Sequence, residues 1–303
     1  MDRCTLCPRQ CGTARDAAQG KGRCRMGWQP VVARAALHFG EEPCISGTRG
    51  SGTVFFCGCN LGCVFCQNEQ ISRGGEQGWT VDSDALGEVF ASLAAQGAHN
   101  INLVTAGHFA PEVAKALRAH PPGIPVVYNS SGYESLETLR LLEGLVDIYL
   151  PDFKFADAET AALCANAPDY PEVALDAIAE MRRQTGEAQY GPDGLLRRGT
   201  LVRHLVLPGL SGASMRILTL LRDTLPADLQ VSLMGQYTPC GQAASIPGLD
   251  RALLPREYRR VKAHMAALGI DGYTQSLAST GTDHIPTWDG TGLPNNVTQR
   301  RDS

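Results

Sequence analysis

The chain has 303 residues, room for one large α/β domain or two average ones. Its 27 Lys and Arg against 31 Asp and Glu leave a formal charge of −4, so binding of nucleic acid through a broad basic face is not expected. A 43% hydrophobic content with 19% charged residues excludes wholesale disorder; no run nears the ~18 apolar residues of a membrane helix, no signal peptide opens the chain, and a cytoplasmic protein is expected.

Residues 1–50 come first, as a small module rich in Gly, Arg and Cys with little apolar periodicity. Loops held by a metal are expected there rather than a packed core. Of the chain's eleven cysteines, nine lie before residue 67, and clustered thiols in a reducing compartment point to metal rather than disulfides. Cys4, Cys7, Cys11 and Cys24, in a C-x2-C-P-x2-C-x12-C array, can hold either zinc as a tetrathiolate or an iron–sulfur cluster. An iron–sulfur cluster there would relay electrons, whereas zinc would only fold the module.

Residues 51–272 alternate short apolar runs with amphipathic segments. The predicted strands are Thr53–Cys57, Ile101–Val104, Pro125–Asn129, Val146–Leu150, Leu201–Leu207 and Gln230–Met234, rich in Val, Ile and Leu as strands buried on both faces are. Helices are predicted over 82–96, 111–119, 134–143, 172–185, 212–224 and 255–268, with Asp82 and Ser211 as N-caps. Six βα units in series imply a parallel sheet with helices outside it, either doubly wound or a barrel. Residues 164–200 exceed a simple crossover, with Tyr190–Arg198 expected as a loop insertion. Residues 273–303 form a polar tail, expected to wrap the core or to be partly disordered.

The chemistry-bearing motif follows the first predicted strand. Cys59, Cys63 and Cys66, in a C-x3-C-x2-C loop with Phe65 in the aromatic place, can bind three corners of a cubane [4Fe-4S] cluster and leave one iron open. Zinc held by the same thiols with Cys57 is the alternative, disfavoured because structural zinc favours paired C-x2-4-C knuckles.

This loop resembles the signature of the radical S-adenosylmethionine superfamily. The resemblance implies a partial (β/α)6 TIM-like barrel with the site at the C-terminal strand ends. It also implies a [4Fe-4S] cluster whose open iron is chelated by S-adenosylmethionine. One electron then cleaves that cofactor to a 5′-deoxyadenosyl radical, which abstracts hydrogen from a substrate. Beyond the loop, the stretches 97–105, 127–133, 147–154 and 203–209 resemble activating enzymes of glycyl-radical enzymes, and more closely their relatives with a Cys-rich N-terminal extension.

The resemblance carries roles residue by residue. Thr105 begins the turn where the family has a Gly-Gly-Glu segment for the cofactor's amino group, but the Glu is absent here. Asn129 and Ser131 would reach the cofactor's sugar or carboxylate. Asp152 and Lys154 match an Asp-x-Lys motif able to bind the cofactor's charged ends or a monovalent cation. Arg203, expected at the opening of the fifth strand, would meet the cofactor carboxylate. Gln236 and Tyr237 stand where the activating enzymes carry a His. The implied partners are a protein substrate, a glycyl-radical enzyme or a peptide, and a reductase such as flavodoxin or ferredoxin. A permanent radical modification of a peptide or small molecule, and a non-enzymatic zinc or iron–sulfur scaffold or electron carrier, are the alternatives.

Overall fold

In the computed structural model, which describes residues 3–17, 19–73, 78–275 and 286–299, the apolar runs pair into one continuous sheet. Its strands in chain order are β1 (Val31–His38), β2 (Ser51–Phe56), β3 (Trp79–Thr80), β4 (Ile101–Val104), β5 (Val126–Ser130), β6 (Ile148–Pro151), β7 (Gln189–Tyr190), β8 (Leu196–Leu205), β9 (Gln230–Met234), β10 (Gly272–Thr274) and β11 (Thr298–Gln299). The path runs β10-β9-β8-β6-β5-β4-β2-β1-β3-β11 with β7 hung on β8, and it does not close on itself. From β2 to β10 all neighbours on this path are parallel. The fold is a partial TIM-like barrel.

The helices are α1 (Pro43–Ser46), α2 (Glu69–Ser72), α3 (Ser83–Ala95), α4 (Ala110–Ala119), α5 (Leu136–Leu141), α6 (Ala158–Ala165), α7 (Tyr170–Thr185), α8 (Ser211–Thr224) and α9 (Pro255–Ala267). Asp82 caps α3, accepting from the Ala85 amide at 2.8 Å. The α8 cap position belongs to Leu210, not to Ser211, which is the helix's first residue. No helix among the described residues is long and apolar enough to cross a membrane.

Alternation along the central strands sets the layers. Tyr128 and Tyr149 point out and join Leu103, Val113 and Leu139 in the core under the helices. Val127, Ile148, Leu150 and Leu201 point in, where Cys44 and Ile45 of α1 meet them and plug the barrel floor.

Two segments differ from expectation, and part of the tail packs on the core. Residues 31–38, expected as loop, form β1, antiparallel to β2 and buried at Val31, Val32, Ala33 and Ala35. Ala-rich and interrupted by Arg34, this stretch shows no clean period. The long fourth connection, from β6 to β8, holds all of α6 and α7, and a β7–β8 hairpin forms where a loop was expected. In the tail, Trp288 packs edge-on against Phe55 at 5.3 Å and β11 pairs with β3. Residues 276–285 and 300–303 of that tail lie outside the described residues.

Candidate active site

Register aligns the polar strand ends. Asn129 stands between Val104 and Leu150, and Asp152 bridges to Arg203, which stands beside Ser232. Because β8 starts at Leu196, Arg203 lies near its C-terminal end rather than at its opening. All three of its guanidinium nitrogens are engaged: Nε donates to Asp152 Oδ1 at 3.0 Å, Nη1 to Glu41 Oε2 at 2.9 Å and Nη2 to Asn129 Oδ1 at 2.7 Å. Three of the five N–H donors of the fork expected to meet a cofactor carboxylate are thus engaged by the protein, and two remain. Lys154 donates its ammonium to the other Asp152 oxygen.

Burial works against each of these charges, and pairing outweighs it. Lys154 and Arg203 hold the Asp152 carboxyl below its ordinary range, while Asp152 holds both cations above theirs. A half-buried network of this kind contributes little net stability but fixes one geometry, and loss of one member leaves unpaired charge behind.

Glu41 was not marked by any motif. It follows β1 on the short turn into α1, and it also accepts from Asn102 Nδ2 at 3.1 Å. Its neighbour Glu42 is 7% exposed, with a buried Oε2 that has no hydrogen-bond partner. Burial pushes the Glu42 carboxyl up, Arg203 pulls it down and Glu41 adds to the rise.

The cysteine loop closes this chamber. Cys59, Cys63, Phe65 and Cys66 line a cavity of ≈ 240 Å³ together with Thr105, Asn129, Ser131, Asp152, Lys154, Arg203 and Gln236. Sequence reasoning missed Glu41, Glu42, Met234 and Gln275 in the same wall. Gln275 ties the tail to the site, donating to Gln236 Oε1 at 3.0 Å and accepting from the Gly235 amide at 3.1 Å. Tyr237 is not in the lining: its hydroxyl donates to the Leu249 carbonyl at 2.6 Å and its ring packs edge-on against Phe65. Cys57 packs in the core beside Phe56 and Met26, apart from the other three thiols.

Backbone strain marks two points of the rim. Thr105, a β-branched residue, sits at φ +61°, a conformation retained only where its surroundings fix it. Gly58 has φ +80°, and a Cβ there would lie 2.4 Å from Met26 Cγ and 2.8 Å from the Cys24 carbonyl. The turn after Thr105 packs on Glu134, whose Oε2 would meet a Cβ on Gly107 at 2.4 Å. The Glu134 carboxyl and the Tyr128 hydroxyl are buried there against each other.

The N-terminal thiols gather against this loop. Cys4 and Cys7 are buried, Cys24 is half-buried and Cys11 exposed. Arg15 donates to Cys4 Sγ at 3.6 Å, and Cys24 lies close enough to Cys4 and Cys11 for both to raise its thiol, after burial. Among the described residues no three Cys, His, Asp or Glu side chains converge as the ligands of a single ion do. A cubane does not require it, since each thiolate takes a different iron. Three thiols of one loop lining a cavity, with half-buried cations opposite, fit such a cluster.

A family model described as the radical SAM superfamily matches residues 53–217. The chain belongs to the radical SAM superfamily. That membership implies a [4Fe-4S] cluster and S-adenosylmethionine. Over 267 residues the chain is 29% identical to the uncharacterized protein MJ0674 of Methanocaldococcus jannaschii, covering 85% of this chain and 72% of that one. Streptococcus suis SuiB, solved bound to its precursor peptide SuiA, shares the radical SAM fold at a TM-score of 0.50 and 8% identity. That match covers 72% of this chain but only 47% of SuiB, so the chain spans about half the length of that structure. Methylornithine synthase aligns at a TM-score of 0.48 and 13% identity, over 81% of this chain and 75% of that one.

Proposed function

We propose that Cys59, Cys63 and Cys66 hold the catalytic [4Fe-4S] cluster and that the cavity they line receives S-adenosylmethionine and a peptide or protein substrate. The observation that carries this reading is the shared cavity: three thiols of one loop face a half-buried Asp152–Lys154–Arg203 network across it. Once bound, the cluster and cofactor supply a single-electron cleavage of the sulfonium and a hydrogen abstraction from the substrate. The chain's own side chains bind and orient. Lys154 and Asp152 offer the cofactor's charged ends a matched pair, Asn129, Ser131, Thr105 and Gln236 offer hydrogen bonds, and Phe65 shields the loop from solvent.

Installation of a glycyl radical on a partner enzyme is the event we favour, from the resemblance of the 147–154 and 203–209 stretches to the activating enzymes. Permanent modification of a peptide is the second reading, favoured by the bound precursor peptide in SuiB. The four N-terminal thiols are proposed to hold a second metal centre, zinc or iron–sulfur, in the segment ahead of β1. Residues 51–272 form the catalytic unit in this reading, with a flavodoxin or ferredoxin as electron source.

The test is 5′-deoxyadenosine release from S-adenosylmethionine by anaerobically reconstituted, dithionite-reduced protein. Product from the wild type and none from Cys63→Ala is expected. Wild-type protein that holds no iron and gives no product would sink the cluster assignment. A glycyl-radical signal on a co-incubated partner separates the first reading from the second.

A further inference from the structure

The outer side of the cysteine loop carries positive charge. Arg9 donates Nε to the Asn60 carbonyl at 2.9 Å, with its guanidinium 5.2 Å from the Tyr133 ring centroid. Arg23 donates to the Leu61 carbonyl at 3.1 Å. Arg73 donates to the carbonyls of Gly62 and Cys63 at 3.4 and 3.3 Å, and Arg25 to the Arg73 carbonyl at 2.9 Å. Three arginines therefore hold the backbone between the first and second cysteines of the loop, and Arg25 adds a fourth charge through Arg73. Arg23 and Arg25 are exposed, and Arg9 and Arg73 are half-buried.

These cations crowd one another. The Arg23 guanidinium is held below its ordinary value by burial and then by Arg9 and Arg73. Among the described residues, Glu69, 3.5 Å from Arg73, is the one carboxylate in an ion pair with any of the four. Residues 3–29 hold six basic side chains and one acidic one, in a chain whose net charge is −4. None of the four arginines lines the cavity, so a substrate entering the cavity does not meet them.

We infer that this arginine collar is the docking surface for a small acidic one-electron carrier protein that reduces the catalytic cluster. The inference rests on the assignment of that cluster to Cys59, Cys63 and Cys66. Arg9, Arg23 and Arg73 touch backbone adjoining the thiolate ligands and Arg25 joins them through the Arg73 carbonyl, so a carrier seated there is separated from the cluster by little more than one loop. One electron leaves the carrier's reduced cofactor and enters the cluster, with no bond made or broken and no proton moved. Opposed charge accelerates such an encounter and makes its rate depend on salt. Arginines already hydrogen-bonded to loop carbonyls present that charge without first being ordered.

The experiment measures 5′-deoxyadenosine formation by the full, reconstituted chain with two reductants, reduced flavodoxin and dithionite. The variants are Arg23→Glu with Arg25→Glu, and Arg23→Lys with Arg25→Lys. Charge reversal is expected to slow the flavodoxin-driven rate by about tenfold or more, and the lysine pair to retain most of it. The dithionite-driven rate and the iron content should stay unchanged in both. Salt raised from about 50 to about 500 mM should slow the flavodoxin-driven rate of the wild type and spare the charge-reversed variant. A salt-insensitive wild type, or equal losses with both reductants, would overturn the docking surface. Absence of product from wild type with dithionite would instead remove the cluster assignment, and the docking surface with it.

Discussion

Glu134 sits beneath the turn that follows β4, and burial lifts its carboxyl from 4.5 to about 7. An acid whose pKa is higher in the folded state binds more protons folded than unfolded. Its contribution to stability is therefore full below about pH 4.5 and is lost as pH rises through about 7. The span corresponds to about 3 kcal/mol. Glu134→Gln keeps the shape and removes the ionisation, so urea denaturation should show the variant gaining about 3 kcal/mol on the wild type between about pH 5 and about pH 8. Parallel stability profiles for the two proteins would show that the carboxyl is not held up. At this scale the sequence was legible where chemistry is local. Cys59, Cys63 and Cys66, and the Asp152–Lys154 pair, are spaced by loop and strand geometry and line the cavity. Glu41 and Glu134 were not legible, because a turn beneath the barrel delivers one and a turn behind β4 receives the other. Tyr237, singled out because it aligns with the His of the activating enzymes, lies behind the lining with its hydroxyl on the Leu249 carbonyl.

The element that makes the chamber a chamber is α1, a four-residue helix. Pro43 opens it, Cys44 and Ile45 bury themselves among Val127, Ile148, Leu150 and Leu201, and the Ile45 carbonyl accepts from Asn100 Nδ2 at 2.8 Å. By seating there, α1 fixes the turn that carries Glu41 and Glu42 under Arg203. Ile45 is fully buried, so Ile45→Ala removes apolar contact and leaves a void, at a cost of about 2–5 kcal/mol. Urea midpoints should fall accordingly, while a variant within about 0.5 kcal/mol of wild type would mean that the floor collapses to fill the gap. The six central strands were legible because parallel strands buried on both faces are continuous runs of Val, Ile and Leu. Neither β1 nor α1 gave such a signal. β1 is an antiparallel strand with an irregular register near Arg34, and α1 is too short to show a helical period.

At the scale of the whole molecule, the segment ahead of β1 has little to hold it except its thiols and its seat. Among the described residues, its backbone pairing is limited to the isolated Arg15–Gly20 and Gln19–Met26 bridges and to hydrogen bonds within its own loops, such as Cys4 with Thr13 and Trp28 with Asp16. Arg9, Arg15 and the Leu6 carbonyl tie it to the barrel, through Asn60, His108 and Ser135. The barrel has its own layered core and a complete run of parallel strands. The metal proposed at Cys4, Cys7, Cys11 and Cys24 would supply folding free energy to a segment that cannot bury a core of its own. Replacing Cys4 and Cys7 together by Ser should therefore release residues 3–29 to limited proteolysis and lower the metal content, yet leave the far-ultraviolet dichroism of the barrel almost intact. The same variant should still bind iron at the Cys59–Cys66 loop, because those ligands belong to the barrel's own β2–α2 connection. If instead the segment resists protease as the wild type does, its seat on Asn60 and His108 is sufficient and no metal is needed to fold it. If the barrel unfolds with it, the two are one cooperative unit, and the N-terminal segment is part of the core rather than an addition to it.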